Sequence, residues 1–426
     1  MTIRGAVIRP RPFFFVGPRV YVLDMNEPAK VHTCDIAIAG GGPVGLTLAL
    51  ALARKGFDVV VADAAPPPDE GKADTRAYFM AYGCWRIFRA LGLEDALLAG
   101  AEPITQVDAE GRVGGISFIA EDSGEPVLGY MVEAGGLATA LHTAVAAEKH
   151  VTLLSRARIE SVTFGDPFAL LKLADGEVRA PLVVGCDGAR SLVRRQAGLR
   201  FEGHDYDAAA VSTTVQLAKP HNGVARQVFL PNGPMAVLPL QGDRANLIWT
   251  EKAAVAAALV ELDPRGFELE LAKRAGDFIP GAKLAGQRIS FPIGLYIAER
   301  FEGPRVALAG DAAHVIHPLA GQGLNLGLKD IAALVDVIEA ASRAGLDIGA
   351  EGALAPYTRW RRGDVVATAA AMEGFARTFT SALPIRLAAG AAMALAGAIP
   401  PARKLFAREA GGDLGELPTL MQAGAR

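Results

Sequence analysis

Short apolar runs alternate with mixed stretches near the start of the chain, in the order typical of alternating strands and helices. Residues 35–39 and 59–62 are apolar runs of strand length, and 46–55 repeats apolar residues at helical spacing between them. A glycine-rich turn at 40–45 joins the first strand to the helix, and Gly56 is placed to end that helix. The pattern therefore predicts a β-α-β unit at the start of the fold.

The middle of the chain is rich in strand patterns, and the last quarter is helical. Alternating apolar residues in 207–252 predict a β-meander, and 324–408 keeps helical spacing almost throughout. Further strands are predicted at 151–154, 168–173, 181–185, 288–300 and 306–309, and further helices at 82–100, 136–147 and 264–275. Because the strands of 102–130 and 201–290 interrupt the alternating strand-helix segments, we expect two domains woven together.

Composition and charge narrow the class of protein. The chain has 426 residues, of which 51% are hydrophobic, and its net charge is −3 at pH 7. This length allows two or three domains or one large α/β unit, and the small charge gives no reason to expect nucleic-acid binding. No run of about 20 apolar residues occurs, so no transmembrane helix is expected. The three cysteines, Cys34, Cys84 and Cys186, form no CxxC pair, which favours reduced thiols in a cytoplasmic protein without a metal site.

Residues 1–32 have a composition of their own. The first 23 residues contain no acidic residue and four arginines, a bias found in transit peptides. They also contain no serine and include Pro10, Pro12 and Pro18, which disfavour an amphipathic helix. We therefore expect residues 1–32 to form a disordered leader, or Met25 to be the true first residue. A transit peptide is the less favoured interpretation.

A GxGxxG pattern occupies the first glycine turn, at Gly40, Gly42 and Gly45. In dinucleotide-binding proteins the first glycine permits the tight turn, the second lets a pyrophosphate approach the backbone, and the third lets helix and strand pack closely. Asp63 follows the second strand, where a carboxylate can bond ribose hydroxyls. The motif predicts a dinucleotide site and by itself does not separate NAD from FAD.

Two later strand ends also carry an acid beside a glycine. Asp187-Gly188 follows one predicted strand, and Gly310-Asp311 follows another. Taken alone, Asp187-Gly188 favours an ordinary turn over a ligand site. A glycine turn at 321–323 precedes the long C-terminal helical region, and N–H groups at a helix N-terminus favour an electron-rich ligand edge.

In this order and spacing, the three motifs resemble those of the single-component FAD-dependent aromatic hydroxylases, over about residues 33–410. Within that group, the block 311–327 looks like the ubiquinone-biosynthesis hydroxylases, which act on polyprenylated phenols. The blocks 128–133 and 233–240 are similar to other blocks of that subfamily. The implied activity is a monooxygenase that uses FAD, NAD(P)H and O2 to hydroxylate the ring of a polyprenylated phenol in ubiquinone biosynthesis. A flavin hydroxylase of another phenol, and a non-catalytic FAD-holding subunit of a biosynthetic complex, are the alternatives.

The resemblance also implies a role for each motif in holding FAD. The first turn would hold the pyrophosphate, Arg76 would lie over the flavin or its phosphates, and Asp311 would bond the ribityl chain. Asp187 and Arg190 would lie where FAD meets the transient NAD(P)H, and Pro318 with the amides of 321–325 would face the flavin ring at N1 and the C2 carbonyl. The residues assigned to FAD are Gly40, Gly42, Pro43, Val44, Gly45, Asp63, Arg76, Asp187, Gly188, Arg190, Asp311, Pro318, Gly321, Gln322, Gly323, Leu324 and Asn325.

The expected fold class is α/β, with a Rossmann-like FAD-binding domain interleaved with a β-sheet substrate domain and followed by a helical C-terminus. We assign 33–101, 129–200 and 288–345 to the FAD-binding domain, 102–128 and 201–287 to the substrate domain, and 346–426 to the helical region.

Three further features of the sequence have more than one interpretation. His314 and His317 could act as a general base on the phenol, since histidine titrates near neutrality. We favour the interpretation that they shape the loop that would lie beside the flavin, and we assign no catalytic base. The uncharged run 387–402 is too short to span a bilayer and favours a buried helical hairpin; a peripheral contact with the inner face of a membrane is the functional alternative.

Overall fold

The structure is a computed structural model that describes residues 30–68, 76–111, 114–317, 321–380, 383–422 and 424. Most of the predicted leader, including Met25, lies outside the described residues, as does Pro318 of the third motif.

Strands outnumber helices in the first three quarters of the described chain, and helices dominate the last quarter. The strands are β1 (Lys30–Thr33), β2 (Ile36–Ala39), β3 (Val59–Ala62), β4 (Ala77–Ala81), β5 (Ala101–Ile104), β6 (Gln106–Glu110), β7 (Gly115–Ile119), β8 (Gly129–Glu133), β9 (Val151–Leu154), β10 (Ile159–Phe164), β11 (Ala169–Leu173), β12 (Gly176–Ala180), β13 (Leu182–Gly185), β14 (Phe201–Gln216), β15 (Val224–Leu230), β16 (Gly233–Leu240), β17 (Arg244–Lys252), β18 (Lys283–Leu284), β19 (Ile289–Ala298), β20 (Glu302–Gly303), β21 (Val306–Leu308) and β22 (His314–Val315). The helices are α1 (Pro43–Arg54), α2 (Tyr82–Ala90), α3 (Glu94–Leu98), α4 (Ala120–Ser123), α5 (Ala134–Ala147), α6 (Leu192–Gln196), α7 (Ala253–Glu261), α8 (Pro264–Ala275), α9 (Gln322–Arg343), α10 (Ala355–Thr380), α11 (Leu383–Ala398) and α12 (Pro400–Ala410).

A largely parallel sheet contains the strands that precede the three motifs. Its strand order is β20-β21-β13-β2-β3-β9, and all neighbours from β21 to β9 run parallel. Every residue of β2 and β3 is buried, which explains why these strands are unbroken apolar runs rather than alternating ones. The predicted β-α-β unit is confirmed, and α1 begins at Pro43, a residue suited to the first helical position.

A nine-stranded sheet, ordered β22-β19-β14-β17-β16-β15-β6-β7 with β18 beside β14, forms the second layer. One of its faces packs on helices α7 and α8, where Leu247, Trp249 and Phe267 share a buried cluster. The small sheet β4-β8-β5 packs against the other face, with Leu240 beside Phe79 in a second cluster. The nine-stranded sheet is therefore covered on both faces, by helices on one and by the motif-bearing half on the other.

Two boundaries differ from the sequence prediction. Strand β19 pairs with β14 and lies in the nine-stranded sheet, although the sequence assigns 288–345 to the FAD-binding domain. Strand β1 begins at Lys30 and pairs with β12, so residues 30–32 of the predicted leader belong to a sheet. Both errors arise because sheet membership depends on a partner strand far away in the sequence.

The C-terminal part is helical from α9 to α12, as predicted. Most of α9 is buried, and it packs on α1, α10 and β4, whereas α11 packs on β7 and α12 on α4. The predicted fold class is confirmed: an α/β fold with interleaved segments and a helical C-terminus. Across the described residues, no helix is both long and apolar enough to cross a bilayer.

Candidate cofactor site

The three sequence motifs meet at one edge of the parallel sheet. Strands β2, β13 and β21 are neighbours, and their carboxyl ends lead into Gly40, Cys186 and Gly310. The first and third motifs touch, since a Cβ added to Gly310 would lie 3.2 Å from Cγ2 of Val44. Ligands of open α/β sheets bind at this end of the strands, so the fold brings the predicted motifs together where a dinucleotide would bind.

Two glycines of the first turn are required by packing. Gly40 has φ = +105°, and a Cβ there would collide with the carbonyl oxygen of Cys186. A Cβ on Gly45 would collide with the carbonyl oxygen of Gly40. The backbone of the turn therefore lies directly against the end of β13. A side chain at Gly40 or Gly45 would have to displace that backbone.

Gly42 differs, because no atom lies within 4 Å of the position of an added Cβ. It has extended backbone and precedes the first residue of α1, so the open space above it borders the N-terminus of that helix. Asp63 holds the turn beside it: its carboxylate accepts hydrogen bonds from the backbone N–H of Gly41 and, at 2.6 Å, from that of Ala65. Asp63 thus shapes the turn in addition to its predicted role toward a ribose.

Asp187 caps the short helix α6 with one carboxylate oxygen. Its Oδ2 accepts hydrogen bonds from the N–H groups of Leu192 at 2.6 Å and Val193 at 3.2 Å. Its Oδ1 is buried without a hydrogen-bond partner among the described residues. An unmatched buried acceptor is costly, so this oxygen suits a donor group on a ligand. The adjacent Gly188 has φ = +76° and open space where a side chain would be.

Asp311 lies just after β21, at the sheet edge where the motifs meet. Its side chain is exposed, yet the protein that surrounds the carboxyl raises its pKa above the ordinary value, with a smaller opposing effect from His314. A carboxyl in this position can accept hydrogen bonds from ligand hydroxyl groups. The location agrees with the predicted contact to a ribityl chain.

Residues 314–317, which we call the flavin loop, precede α9 in the sequence. Gly321 has φ = +63° and caps the helix, and the first N–H groups of a helix lack partners inside the helix. Asn325 is fully buried; its side chain accepts from Ala81 N and donates to Phe79 O, both at 2.9 Å. The Asn325 side chain therefore ties the start of α9 to β4.

Behind the flavin loop lies a buried polar network that the sequence analysis did not assign. Asp330 accepts hydrogen bonds from Gly310 N at 3.0 Å and Arg361 Nε at 2.9 Å, and its Oδ2 lies 2.6 Å from His314 Nε2. Burial alone would raise the pKa of Asp330, but the attraction of His314 and Arg361 lowers it. A buried acid within the apolar part of α9 was the signal for this network. His314 is thus a loop-shaping residue, as we favoured.

Arg194 is a second residue that the sequence analysis left without a role. It is 5% exposed, and its guanidinium donates to Ala312 O and Ala189 O, both at 2.8 Å. Its guanidinium carbon lies 3.6 Å from the ring centroid of Phe201. Arg194 therefore joins the second motif to the third, and an arginine in the short helix after the Asp-Gly turn was the available signal.

The other assigned residues are placed less directly. Arg190 is exposed beside Asp187, and Arg76 is exposed at the start of β4, with its carbonyl accepting the N–H of Ala134. Their roles toward FAD and NAD(P)H stay predictions. His317 is 6% exposed, and burial lowers its pKa to about 4, so its imidazole is neutral near pH 7.

Residues from all three motifs leave space and hydrogen-bond acceptors that FAD could fill. Gly42, Gly188 and Gly323, one from each motif, all have open space within 4 Å of an added Cβ, which leaves a cradle that side chains would narrow. The unmatched Oδ1 of Asp187 and the carboxyl of Asp311 lie at the same sheet edge. A dinucleotide with ribose and ribityl hydroxyls supplies donors for both.

Comparisons with known proteins agree with this geometry. The FAD binding domain family matches residues 33–362. The ubiquinone hydroxylase UbiL of Rhodospirillum rubrum is 38% identical over 396 residues, covering 91% of this chain and 92% of that protein. The 3-demethoxyubiquinol 3-hydroxylase of Escherichia coli is 36% identical over 369 residues, covering 84% and 92%.

Solved structures share the fold. The p-nitrophenol 4-monooxygenase of Pseudomonas putida superposes with a TM-score of 0.76 at 20% identity, covering 89% of this chain and 98% of that one. PqsL, described as a probable FAD-dependent monooxygenase from Pseudomonas aeruginosa, gives a TM-score of 0.73 at 25% identity, covering 85% and 100%.

Proposed function

This chain belongs to the FAD-binding-domain family of flavoproteins, and on that premise we propose that it is a monooxygenase of ubiquinone biosynthesis. It uses FAD, NAD(P)H and O2 to hydroxylate the aromatic ring of a polyprenylated phenol. The observation that carries this proposal is the match of 91% of the chain to a ubiquinone hydroxylase. The convergence of the three motifs at one sheet edge supports it independently.

Residues at the sheet edge would hold the cofactor along its length. The pyrophosphate would lie over Gly42 at the N-terminus of α1, where backbone N–H groups and the helix dipole favour negative charge. Asp63 would bond the adenosine ribose, and Asp187 and Asp311 would accept hydrogen bonds from hydroxyl groups nearer the flavin. When bound, FAD takes electrons from NAD(P)H and passes one oxygen atom of O2 to the substrate ring.

The chain's own contribution at the flavin ring is electrostatic. The N–H groups of Gln322 to Asn325 begin α9, and a helix N-terminus stabilises negative charge at a nearby ring edge without a charged side chain. The Asn325 side chain and the Asp330 network fix that helix start in place. Arg190, which is exposed and lies three residues after Asp187, would contact NAD(P)H while it is transiently bound.

Complementation tests this function in cells. The chain is expressed in bacterial strains that each lack one ubiquinone ring hydroxylase, and the quinone intermediates are identified by mass. We expect one strain to regain ubiquinone and to lose the precursor that lacks a single oxygen atom. Unchanged precursors in every strain would count against the proposal.

A purified-protein assay distinguishes the enzyme from a non-catalytic FAD-holding subunit. We expect yellow protein whose NAD(P)H oxidation rises when a prenylated phenol is added, together with a hydroxylated product. Protein that holds FAD but gives neither response would favour the subunit.

We also propose a peripheral membrane contact, through α11 and the start of α12. Leu395, Ile399 and Leu405 are 64%, 44% and 56% exposed, and Lys404 and Arg408 are exposed near them. An apolar surface flanked by basic residues suits the interface of an anionic membrane, where a polyprenylated substrate is dissolved.

Liposome flotation measures this contact. A Leu395→Asp/Ile399→Asp variant should lose most of the lipid-bound fraction, because both changes put charge on an exposed apolar surface. Met393 is unsuitable for this test, since it is 9% exposed and packs against Ile116. A Leu269→Asp variant is the matched control, with an equally exposed leucine (62%) on α8. Equal flotation of the double variant and the control would rule the contact out.

A further inference from the structure

Strand β14 breaks its pairing with β19 next to the flavin loop. The register shifts between Asp205 and Ala208, and Asp207, inside the break, has φ = +52°. Bulges of this kind re-aim side chains beside active sites, and left-handed backbone at a residue other than glycine is strained. The Tyr206 ring stands edge-on to His317 of the flavin loop, with ring centroids 5.4 Å apart.

Helix α10 brings a carboxylate to the same place. The Tyr206 hydroxyl donates a hydrogen bond to Glu373 Oε2, while Glu373 Oε1 lies 2.5 Å from Arg377 Nε and 4.0 Å from His204 Nε2. The Glu373 side chain is 14% exposed, whereas those of Arg377 and His204 are 72% and 47% exposed. The cluster therefore runs from the buried flavin loop out to solvent.

Packing alone does not account for this cluster. Taking a carboxylate out of water is unfavourable, and apolar side chains of similar volume would join a strand to a helix at lower cost. Instead β14, the flavin loop and α10 each place a polar group at one point, beside the residues assigned to the flavin ring. Burial and Glu373 raise the pKa of Tyr206, so its hydroxyl keeps its proton near pH 7. Such convergent, perturbed groups mark functional sites.

We propose that Tyr206 binds the phenolic hydroxyl of the substrate and that Glu373 positions Tyr206 and accepts its proton as the ring is hydroxylated. This inference rests on the proposed function, because it requires a phenolic substrate beside the flavin loop. The phenol of the substrate is a hydrogen-bond donor, and Tyr206 Oη accepts from it while donating to Glu373.

The proton transfer balances within these groups. The substrate O–H bond breaks as an O–H bond forms on Tyr206, whose original O–H bond breaks as one forms on Glu373. Negative charge passes from the carboxylate to the substrate oxygen, and no oxidant or reductant is consumed. The resulting phenolate is a more electron-rich ring for oxygen transfer, and Arg377 and His204 connect Glu373 to solvent for the return of the proton.

Paired ligands test the inference. The FAD-loaded protein is titrated with 2-geranylphenol and with its methyl ether, 2-geranylanisole, in detergent micelles, and the shift in flavin absorbance gives each Kd. The wild type should bind the phenol about tenfold more tightly than the ether, and Tyr206→Phe should bring the ratio to about one. Glu373→Gln should keep the ratio but lower kcat at least about tenfold, since an amide accepts the Tyr206 hydrogen bond and takes no proton.

Tyr296→Phe is the matched control, because Tyr296 lies on the neighbouring strand β19 and stacks on Phe201; it should keep both the ratio and kcat. A Tyr206→Phe protein with the wild-type ratio, or a Glu373→Gln protein with the wild-type kcat, would overturn the inference. If Tyr206→Phe fails to retain FAD, the kcat of Glu373→Gln decides the matter. A wild type that gives no hydroxylated product would instead contradict the proposed function.

Discussion

The three glycines of the GxGxxG motif are held by different constraints. Gly40 and Gly45 are fixed by protein packing, since a Cβ at either would meet a carbonyl oxygen of the fold itself. Gly42 faces open space and has backbone angles that alanine can adopt. We therefore expect that bound FAD, and not protein packing, requires glycine at position 42.

A Gly42→Ala substitution should weaken FAD binding by at least about tenfold while the apoprotein loses no more than about 1 kcal/mol of unfolding free energy. The added methyl group would occupy the space through which a pyrophosphate approaches the backbone. Titration of apoprotein with FAD and urea unfolding provide the two measurements. Gly135→Ala, on α5 with equally open space, should keep the wild-type FAD affinity and gain up to about 1 kcal/mol of unfolding free energy. Unchanged FAD affinity in Gly42→Ala would contradict the assignment.

Buried His317 should make folding stability depend on pH. Its folded pKa is lowered to about 4 from 6.5 by burial, so between these values the unfolded chain binds more protons than the folded one. Stability is therefore lost as pH falls, and from about pH 7 to pH 5 His317 should remove about 2 kcal/mol. Urea unfolding of His317→Gln should show a smaller loss over the same interval by about that amount. An equal loss in both proteins would contradict a neutral, buried His317.

At the scale of elements, α9 is the part of the fold that fixes the reactive end of the site. Its N-terminus carries the N–H groups assigned to the flavin ring, Asn325 joins it to β4, and Asp330 joins it to the flavin loop and α10. Each of these residues acts by holding backbone in place. The position of the helix N-terminus is thus set by side chains that a ligand never touches.

Removal of the Asp330 carboxylate should lower the free energy of unfolding. Asp330→Ala should lower the unfolding free energy by about 3 to 5 kcal/mol, because it leaves Arg361 and His314 buried without their carboxylate. Glu339→Gln on the same helix should cost less than about 1 kcal/mol, since Glu339 pairs with Lys55 and Arg343 at the surface. Urea unfolding of the apoprotein compares the two, and similar losses would contradict the role of the network.

The sequence predicts elements and turns better than it predicts connections between them. The β-α-β unit and the strand ends that carry the motifs follow from local patterns, which need no distant partner. Arg194 and Ala312 are bonded across 118 positions, and Asp330 and Arg361 across 31. No periodicity marks such pairs, so these residues had no predicted role. Tyr206 depends on a bulge, which is a property of two paired strands.

Two sheets of the molecule contribute to the candidate site. The parallel sheet provides the edge that would hold FAD, and strands β14 and β22 of the nine-stranded sheet bring Tyr206 and the flavin loop together. Because segments of the two sheets alternate along the chain, neither half is a continuous piece of sequence. The helical C-terminus contains both the proposed proton acceptor, Glu373 of α10, and Leu395 of α11, which belongs to the proposed membrane-contact surface.

The most direct test of the proposed function follows an oxygen atom. Purified FAD-loaded protein is supplied with NAD(P)H, a polyprenylated phenol in micelles and O2 enriched in oxygen-18, and the product is analysed by mass spectrometry. We predict a product whose new ring hydroxyl carries oxygen-18, formed with about one equivalent of NAD(P)H. NAD(P)H consumption without labelled product, or a hydroxyl derived from water, would contradict the assignment of this chain as a ring-hydroxylating monooxygenase.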